Sequence, residues 1–165
     1  MRAAVSVFTR RERDGIDYYR LTPNDIWRAL NIQNLNFSGV ETYLRLAPAR
    51  GQTIDFRYTG LRGVHDTLPS VYTKYTFNYP THSGVAQWQA NLPGGFMART
   101  RLGVLDRRRQ GPYALWDIYA ASSRGWIHPF IHVANITATS YQEVAGVAMP
   151  GRMVSGGVEL VWRKR

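Results

Sequence analysis

Apolar and polar residues alternate with a period of two along most of this chain, the periodicity of a β-strand with two unlike faces. Val40, Thr42, Leu44 and Leu46 oppose Glu41, Tyr43 and Arg45, and Ile54, Phe56 and Tyr58 oppose Asp55, Arg57 and Thr59. Ala86, Trp88, Ala90 and Leu92 then alternate with Val85, Gln87, Gln89 and Asn91, and Phe96, Ala98, Thr100, Leu102 and Val104 with Met97, Arg99 and Arg101. Farther on, Ala114, Trp116, Ile118 and Ala120 oppose Leu115, Asp117, Tyr119 and Ala121. Ile127, Pro129, Ile131 and Val133 oppose His128, Phe130 and His132, and Val154, Gly156, Val158, Leu160 and Trp162 oppose Ser155, Gly157, Glu159 and Val161. With a weaker strand near Ala3–Arg13, about eight strands are predicted. No amphipathic helical pattern stands out, so the fold class is all-β.

A soluble sandwich also alternates, and three features point instead to a membrane barrel. The strands run to about ten residues, enough to cross a bilayer at a tilt, where soluble strands average five or six. One face carries Glu, Asp, Arg and Gln in mid-strand, as a water-facing lumen does, while the other is almost free of charge. Short and long connections also alternate: Ala49-Arg50-Gly51, Pro93-Gly94-Gly95 and Arg124-Gly125 against Asp14–Asn34, Val64–Tyr79, Asp106–Pro112 and Thr137–Arg152. Short turns at one rim and long loops at the other are the layout of outer-membrane barrels. At Ala49-Arg50-Gly51, keeping Arg45 and Asp55 on one face demands an odd loop with Gly51 in its left-handed position, which sets Arg45 opposite Asp55. The same parity at Pro93-Gly94-Gly95 sets Leu92 opposite Phe96, Trp88 opposite Thr100 and Gln89 opposite Arg99.

Composition narrows the functional classes. The 165 residues hold 21 Lys+Arg against 11 Asp+Glu. The cations are nearly all Arg and scattered, with one run at Arg107-Arg108-Arg109, so the charge does not point to nucleic acid. There are no cysteines, hence no disulfide framework and no thiolate metal site. Metal is not expected at His128 and His132 either: four strand positions separate them by roughly 13 Å. No catalytic constellation is apparent, and neither enzyme activity nor a cofactor is expected. The start of the chain reaches charge at Arg10, too soon for a signal-peptide core, and an exported protein needs such a signal. A preceding part of a longer protein is therefore expected.

The last third carries a family resemblance. Pro112-Tyr113-Ala114-Leu115-Trp116-Asp117-Ile118-Tyr119-Ala120 resembles the strand that TonB-dependent outer-membrane receptors carry shortly before their end. Val133-Ala134-Asn135-Ile136 is similar to the start of their Asn-Leu-Phe-Asp element, with Thr137 and Ala138 in place of Phe and Asp. Tyr141 and Met149-Pro150-Gly151-Arg152 resemble the family's tyrosine and the Pro-Gly-Arg before its final strand. Leu35-Asn36-Phe37-Ser38-Gly39-Val40-Glu41 is similar to its Gly-Val-Glu strand. Unlike the family, which ends on an aromatic residue, this chain continues past Trp162 with Arg163-Lys164-Arg165.

The resemblance implies that residues 1–165 are the C-terminal portion of a receptor barrel without its plug domain, in the bacterial outer membrane. Its function would be active uptake of a scarce nutrient of the siderophore or cobalamin kind, and the segment alone would not transport. Partners implied are outer-membrane lipid, the missing plug and remaining strands, and the barrel-assembly machinery. That machinery would read Ser155, Gly157, Leu160 and Trp162 as a signal by pairing with an exposed strand edge. In the long connections, Tyr18, Tyr19, Trp27 and Arg28, with Arg107, Arg108 and Arg109, are the candidate ligand contacts. They combine aromatics and cations suited to an anionic or ring-bearing nutrient, or to anionic lipopolysaccharide.

Two other classes remain open from sequence: a small closed eight-stranded barrel with a structural role, and a soluble basic β-barrel binding single-stranded nucleic acid. Closure separates the first from the receptor segment. An eight-stranded interior is barely wide enough for side chains, and here it would have to hold Tyr43, Arg45, Arg57, Arg99, Arg101, Phe130 and Glu159. An open antiparallel sheet, curved and without a ladder between residues 2–12 and 153–163, is therefore expected.

Overall fold

The computed structural model describes residues 1–32, 34–65, 72–74, 79–107, 111–144 and 146–162. Its strands in chain order are β1 (Arg2–Glu12), β2 (Gly15–Arg20), β3 (Arg28–Ile32), β4 (Leu35–Leu46), β5 (Gln52–His65), β6 (Tyr72–Thr73), β7 (Pro80–Leu92), β8 (Phe96–Arg107), β9 (Tyr113–Ser122), β10 (Ile127–Ala134) and β11 (Met153–Leu160). One sheet takes eight of them in the order β1-β4-β5-β7-β8-β9-β10-β11, every neighbouring pair antiparallel. The other has three, in the order β3-β2-β6.

The large sheet is open. β1 and β11 are its two ends, and among the described residues no ladder joins them. A closed eight-stranded barrel is therefore not what this chain forms. Strands of 8 to 14 residues make up the sheet.

Both expected hairpin registers are present. Arg45 pairs with Asp55 across a turn closed by the Gln52 amide donating to the Ala49 carbonyl at 3.1 Å, with Gly51 at φ 76°. At the second turn Leu92 meets Phe96, Gln89 meets Arg99 and Trp88 meets Thr100, with Gly94 and Gly95 at φ 81° and 80°. A one-residue slip would carry a whole strand's side chains to the opposite face, so these turns decide which face each residue occupies.

The resulting rows run unbroken across the sheet. Leu46, Ile54, Trp88, Thr100, Ile118, Val133 and Val154 form one row of the apolar face. On the opposite face, Arg45, Asp55, Gln87, Arg101 and Asp117 form another. Among the described residues nothing covers the apolar face: Leu102, Trp116, Ile131 and Val158 all remain exposed. The accessible surface of 11622 Å² makes the same point, because a globular monomer of 18.8 kDa would expose roughly 8,300 Å².

The small sheet was not foreseen, since its strands lie within connections read as loops. It stands at the long-loop end, where Leu30 of β3 packs with Phe37 and Tyr79 around Leu35, only 2% exposed. Phe37 meets Tyr79 edge-on with ring centroids 5.6 Å apart. Gly63 makes room for both, since a Cβ there would lie 2.4 Å from the Tyr79 hydroxyl and 2.9 Å from the Phe37 ring.

Asp55, 5% exposed, is the most buried ion-pair partner in the large sheet. Its carboxylate accepts two guanidinium hydrogen bonds from Arg45, at 2.6 and 2.9 Å, and one from the Tyr43 hydroxyl at 3.0 Å. Asp55→Asn halves the charge-assisted pairing and should cost about 1–3 kcal/mol. Urea unfolding of the variant against the unchanged protein should show this loss, and Tyr43→Phe should lose less.

Candidate functional site

The polar face of the large sheet is built by the same alternation that segregates the apolar one. Most of the charged residues of the described strands lie here, whereas Arg11, Arg62 and Asp106 fall on the apolar face toward the long-loop end. Those of the polar face include Glu41, Arg45, Asp55, Arg57, Arg99, Arg101, Asp117 and Glu159, placed by the pairings of their strands. Acid and base alternate across it: beyond the Arg45–Asp55 pair, the Arg101 guanidinium lies 3.3 Å from Asp117. Aromatic rings back the remaining arginines. Arg57 stands over Tyr43 at 5.6 Å and Arg99 over Tyr119 at 4.9 Å. His132 sits beside Tyr119, and His128 faces Glu159 at 3.9 Å.

The apolar face satisfies its own few polar atoms. The Trp116 indole donates to the Thr100 hydroxyl at 2.6 Å, and that hydroxyl donates to the Asp117 carbonyl at 3.2 Å. The Trp88 indole donates to Gln52 at 3.3 Å, and the Tyr58 hydroxyl pairs with His82 at 2.7 Å.

The candidate residues of the long connections fall into two places. Tyr18 and Tyr19 are consecutive on β2 and so point to opposite sides of the small sheet. Tyr18 and Trp27 come together around the Lys74 ammonium, at 5.8 and 5.9 Å, and Trp27 also stacks on the Arg20 guanidinium at 4.5 Å. Tyr72 completes this group, 5.8 Å from Arg20. Arg28 pairs with Tyr19. Arg107 lies apart at the end of β8, donating to the Tyr113 hydroxyl at 3.0 Å. Arg108 and Arg109 lie outside the described residues. Arg20, Tyr72 and Lys74 were missed by sequence reasoning, although Arg20 shares one face of β2 with Tyr18.

The four positions of the final-strand pattern divide between the faces. Ser155 and Gly157 lie on the polar face opposite His132 and Phe130, and Leu160 on the apolar face opposite Ile127. Trp162 follows the strand and is 78% exposed. Gly157 has a local reason: a Cβ there would stand 2.8 Å from the Phe130 ring.

Between β10 and β11 the chain folds into a compact corner centred on Asn135, 4% exposed and at φ 49°. Its side chain closes a ring with Thr139, accepting from that residue's amide at 2.9 Å and donating to its carbonyl at 2.8 Å. The Asn135 amide donates to Asp117, and Arg152 donates to the Ile136 carbonyl, both at 2.9 Å. Tyr141 stacks on Tyr113 with centroids 5.2 Å apart, and burial raises its phenol above the usual range. Thus Asn135, Tyr141 and Arg152, singled out separately in the sequence, hold one element.

No protein-family model matches the chain, and no curated protein does.

Because Arg152 is tied down by this corner, trypsin should cut slowly after it. Asn135→Ala removes both bonds to Thr139 and should speed cleavage at Arg152 by about tenfold or more, with strand cleavage unchanged. Mass spectrometry of a timed digest reads the difference; equal rates would mean that the corner does not depend on Asn135.

Proposed function

We propose that the large sheet is a transmembrane wall segment of an outer-membrane β-barrel larger than eight strands. The observation that carries this reading is the uncovered apolar face, continuous over eight strands, whose few charged positions (Arg11, Arg62 and Asp106) lie toward the long-loop end while the opposite face holds the ions in mid-strand. A bilayer supplies the missing layer for such a face, and an aqueous lumen suits the other. The two free edges call for further strands, since unpaired backbone in hydrocarbon costs several kcal/mol per group. Phe96, Trp126 and Trp162, all exposed at the short-turn end, suit an interfacial aromatic girdle.

The resemblance at 35–62 and 112–162 favours a receptor of the TonB-dependent kind. Its C-terminal wall would be this chain, its work the active uptake of a scarce nutrient. The small sheet and the Asn135 corner would then belong to the outward-facing loops. β11, with one edge free and Ser155, Gly157, Leu160 and Trp162 in the expected positions, would be the strand that the assembly machinery pairs with.

The absence of native cysteine makes face assignment direct. In outer-membrane preparations of cells that make the protein, Leu102→Cys and Ile131→Cys should react with a lipid-soluble maleimide and resist a charged one. Gln89→Cys and Ser83→Cys should do the reverse. Equal reaction of all four with the charged reagent would sink the membrane reading.

Energetics give a second check. Ile118 pairs with Thr100, the middle of the apolar stretch Phe96–Val104. Ile118→Arg should cost ~2–4 kcal/mol near the bilayer midplane, whereas Gln89→Arg should stay within a few tenths on the wet side. Folding titrations into lipid vesicles compare the two, and equal losses would argue for two buried faces.

A further inference from the structure

The polar face carries one arrangement that ion pairing and packing leave unused. Phe130 is an aromatic ring on this face left 37% exposed, between His128 and His132 on its strand. Its ring lies close against Gly157, where the lack of a side chain permits the approach. Tyr119 stands beside it, centroids 6.1 Å apart and planes within 21° of parallel. Arg99 stands over Tyr119 at 4.9 Å, and among the described residues no carboxylate pairs with it. Its pairing partner Gln89 is neutral. By contrast, Arg45 and Arg101 each have an aspartate.

These three side chains make a continuous row across β8, β9 and β10, apolar at Phe130 and cationic at Arg99. Stacking on Tyr119 holds the guanidinium plane while leaving its N–H edge able to take a carboxylate bidentately. An exposed ring beside such a fork suits a planar anion: the ring stacks on the phenyl face and the charged end reaches the fork. His132, 6.3 Å from Tyr119, borders the surface.

The geometry points to a binding platform for aromatic carboxylates on the polar face, formed by Arg99, Tyr119 and Phe130. It rests on the reading of that face as a water-filled lumen. Solutes in such a lumen would meet the platform directly, and its position in mid-strand makes it a station on the wall rather than part of the loops.

The test uses 2-naphthoate as probe, with neutral 2-naphthalenemethanol and ring-free acetate as controls. Binding is measured by equilibrium dialysis against outer-membrane preparations containing the full protein. Naphthoate should bind more tightly than either control. Arg99→Gln should weaken naphthoate by about tenfold or more and leave naphthalenemethanol unchanged. Phe130→Leu should weaken both ring compounds, and a heat-dependent mobility shift on gels shows whether each variant is folded. Naphthoate binding no stronger than acetate, or unaffected by Arg99→Gln, would overturn the platform. The cysteine labels at Leu102 and Gln89 keep the two readings apart. A lipid-facing Leu102 without naphthoate binding removes the platform alone. Water access at both positions with charge-selective naphthoate binding removes the lumen and keeps the platform.

Discussion

Register holds this structure together. Each antiparallel pairing joins residues of like face, from Arg45–Asp55 through Gln87–Arg101 to His132–Ser155. A strand has only two faces, so each turn need only have the right parity for its apolar set to join its neighbour's. Gly51, Gly94 and Gly95 supply that parity by accepting backbone angles that side-chain-bearing residues resist. Slipping β8 by one residue would put Arg99 and Arg101 among Trp88, Ala90 and Ile118, and both faces would lose their character at once.

The alternation and the two short turns were legible in the sequence because both are local. Neighbouring residues state the face, and the parity of the intervening loop states the register. The small sheet was not legible for the opposite reason. Its β2–β6 contact joins Tyr19 to Thr73, far apart in the chain, and β6 is only two residues long. No periodicity can show in a strand of that length. So Tyr18 and Trp27 could be singled out as candidates, but their grouping with Arg20, Tyr72 and Lys74 depends on pairing that the local pattern does not encode.

The Asn135 corner is an intermediate case. Asn135, Tyr141 and Arg152 drew notice through resemblance, while the physical reason became visible only with coordinates. Asn tolerates the left-handed region and its amide can close a ring with the backbone four residues on. Ala138, at φ 54°, pays for that geometry without such help. Thr137 bonds the Asn135 and Thr139 side chains at 3.4 and 3.0 Å and adds to the closed corner.

The polar and apolar faces also constrain each other through their unequal tolerance of unpaired groups. On the ion-bearing face Arg57 and Arg99 rest on tyrosine rings. On the apolar face the Trp116 indole, the Thr100 hydroxyl and the Asp117 carbonyl form a relay with every donor used. That relay reaches the polar face through Asp117, whose carboxylate takes Arg101 and the Asn135 amide. Asp117 therefore ties three regions with one residue: the Thr100 hydroxyl of the apolar face through its backbone, and Arg101 of the polar face and the Asn135 corner through its side chain. Replacing it would disturb the corner and the arginine together, and coupling of this kind follows from a sheet one residue thick. In a two-layer domain the same jobs fall to different residues; here every strand residue serves the face it points to, and its backbone serves both neighbours.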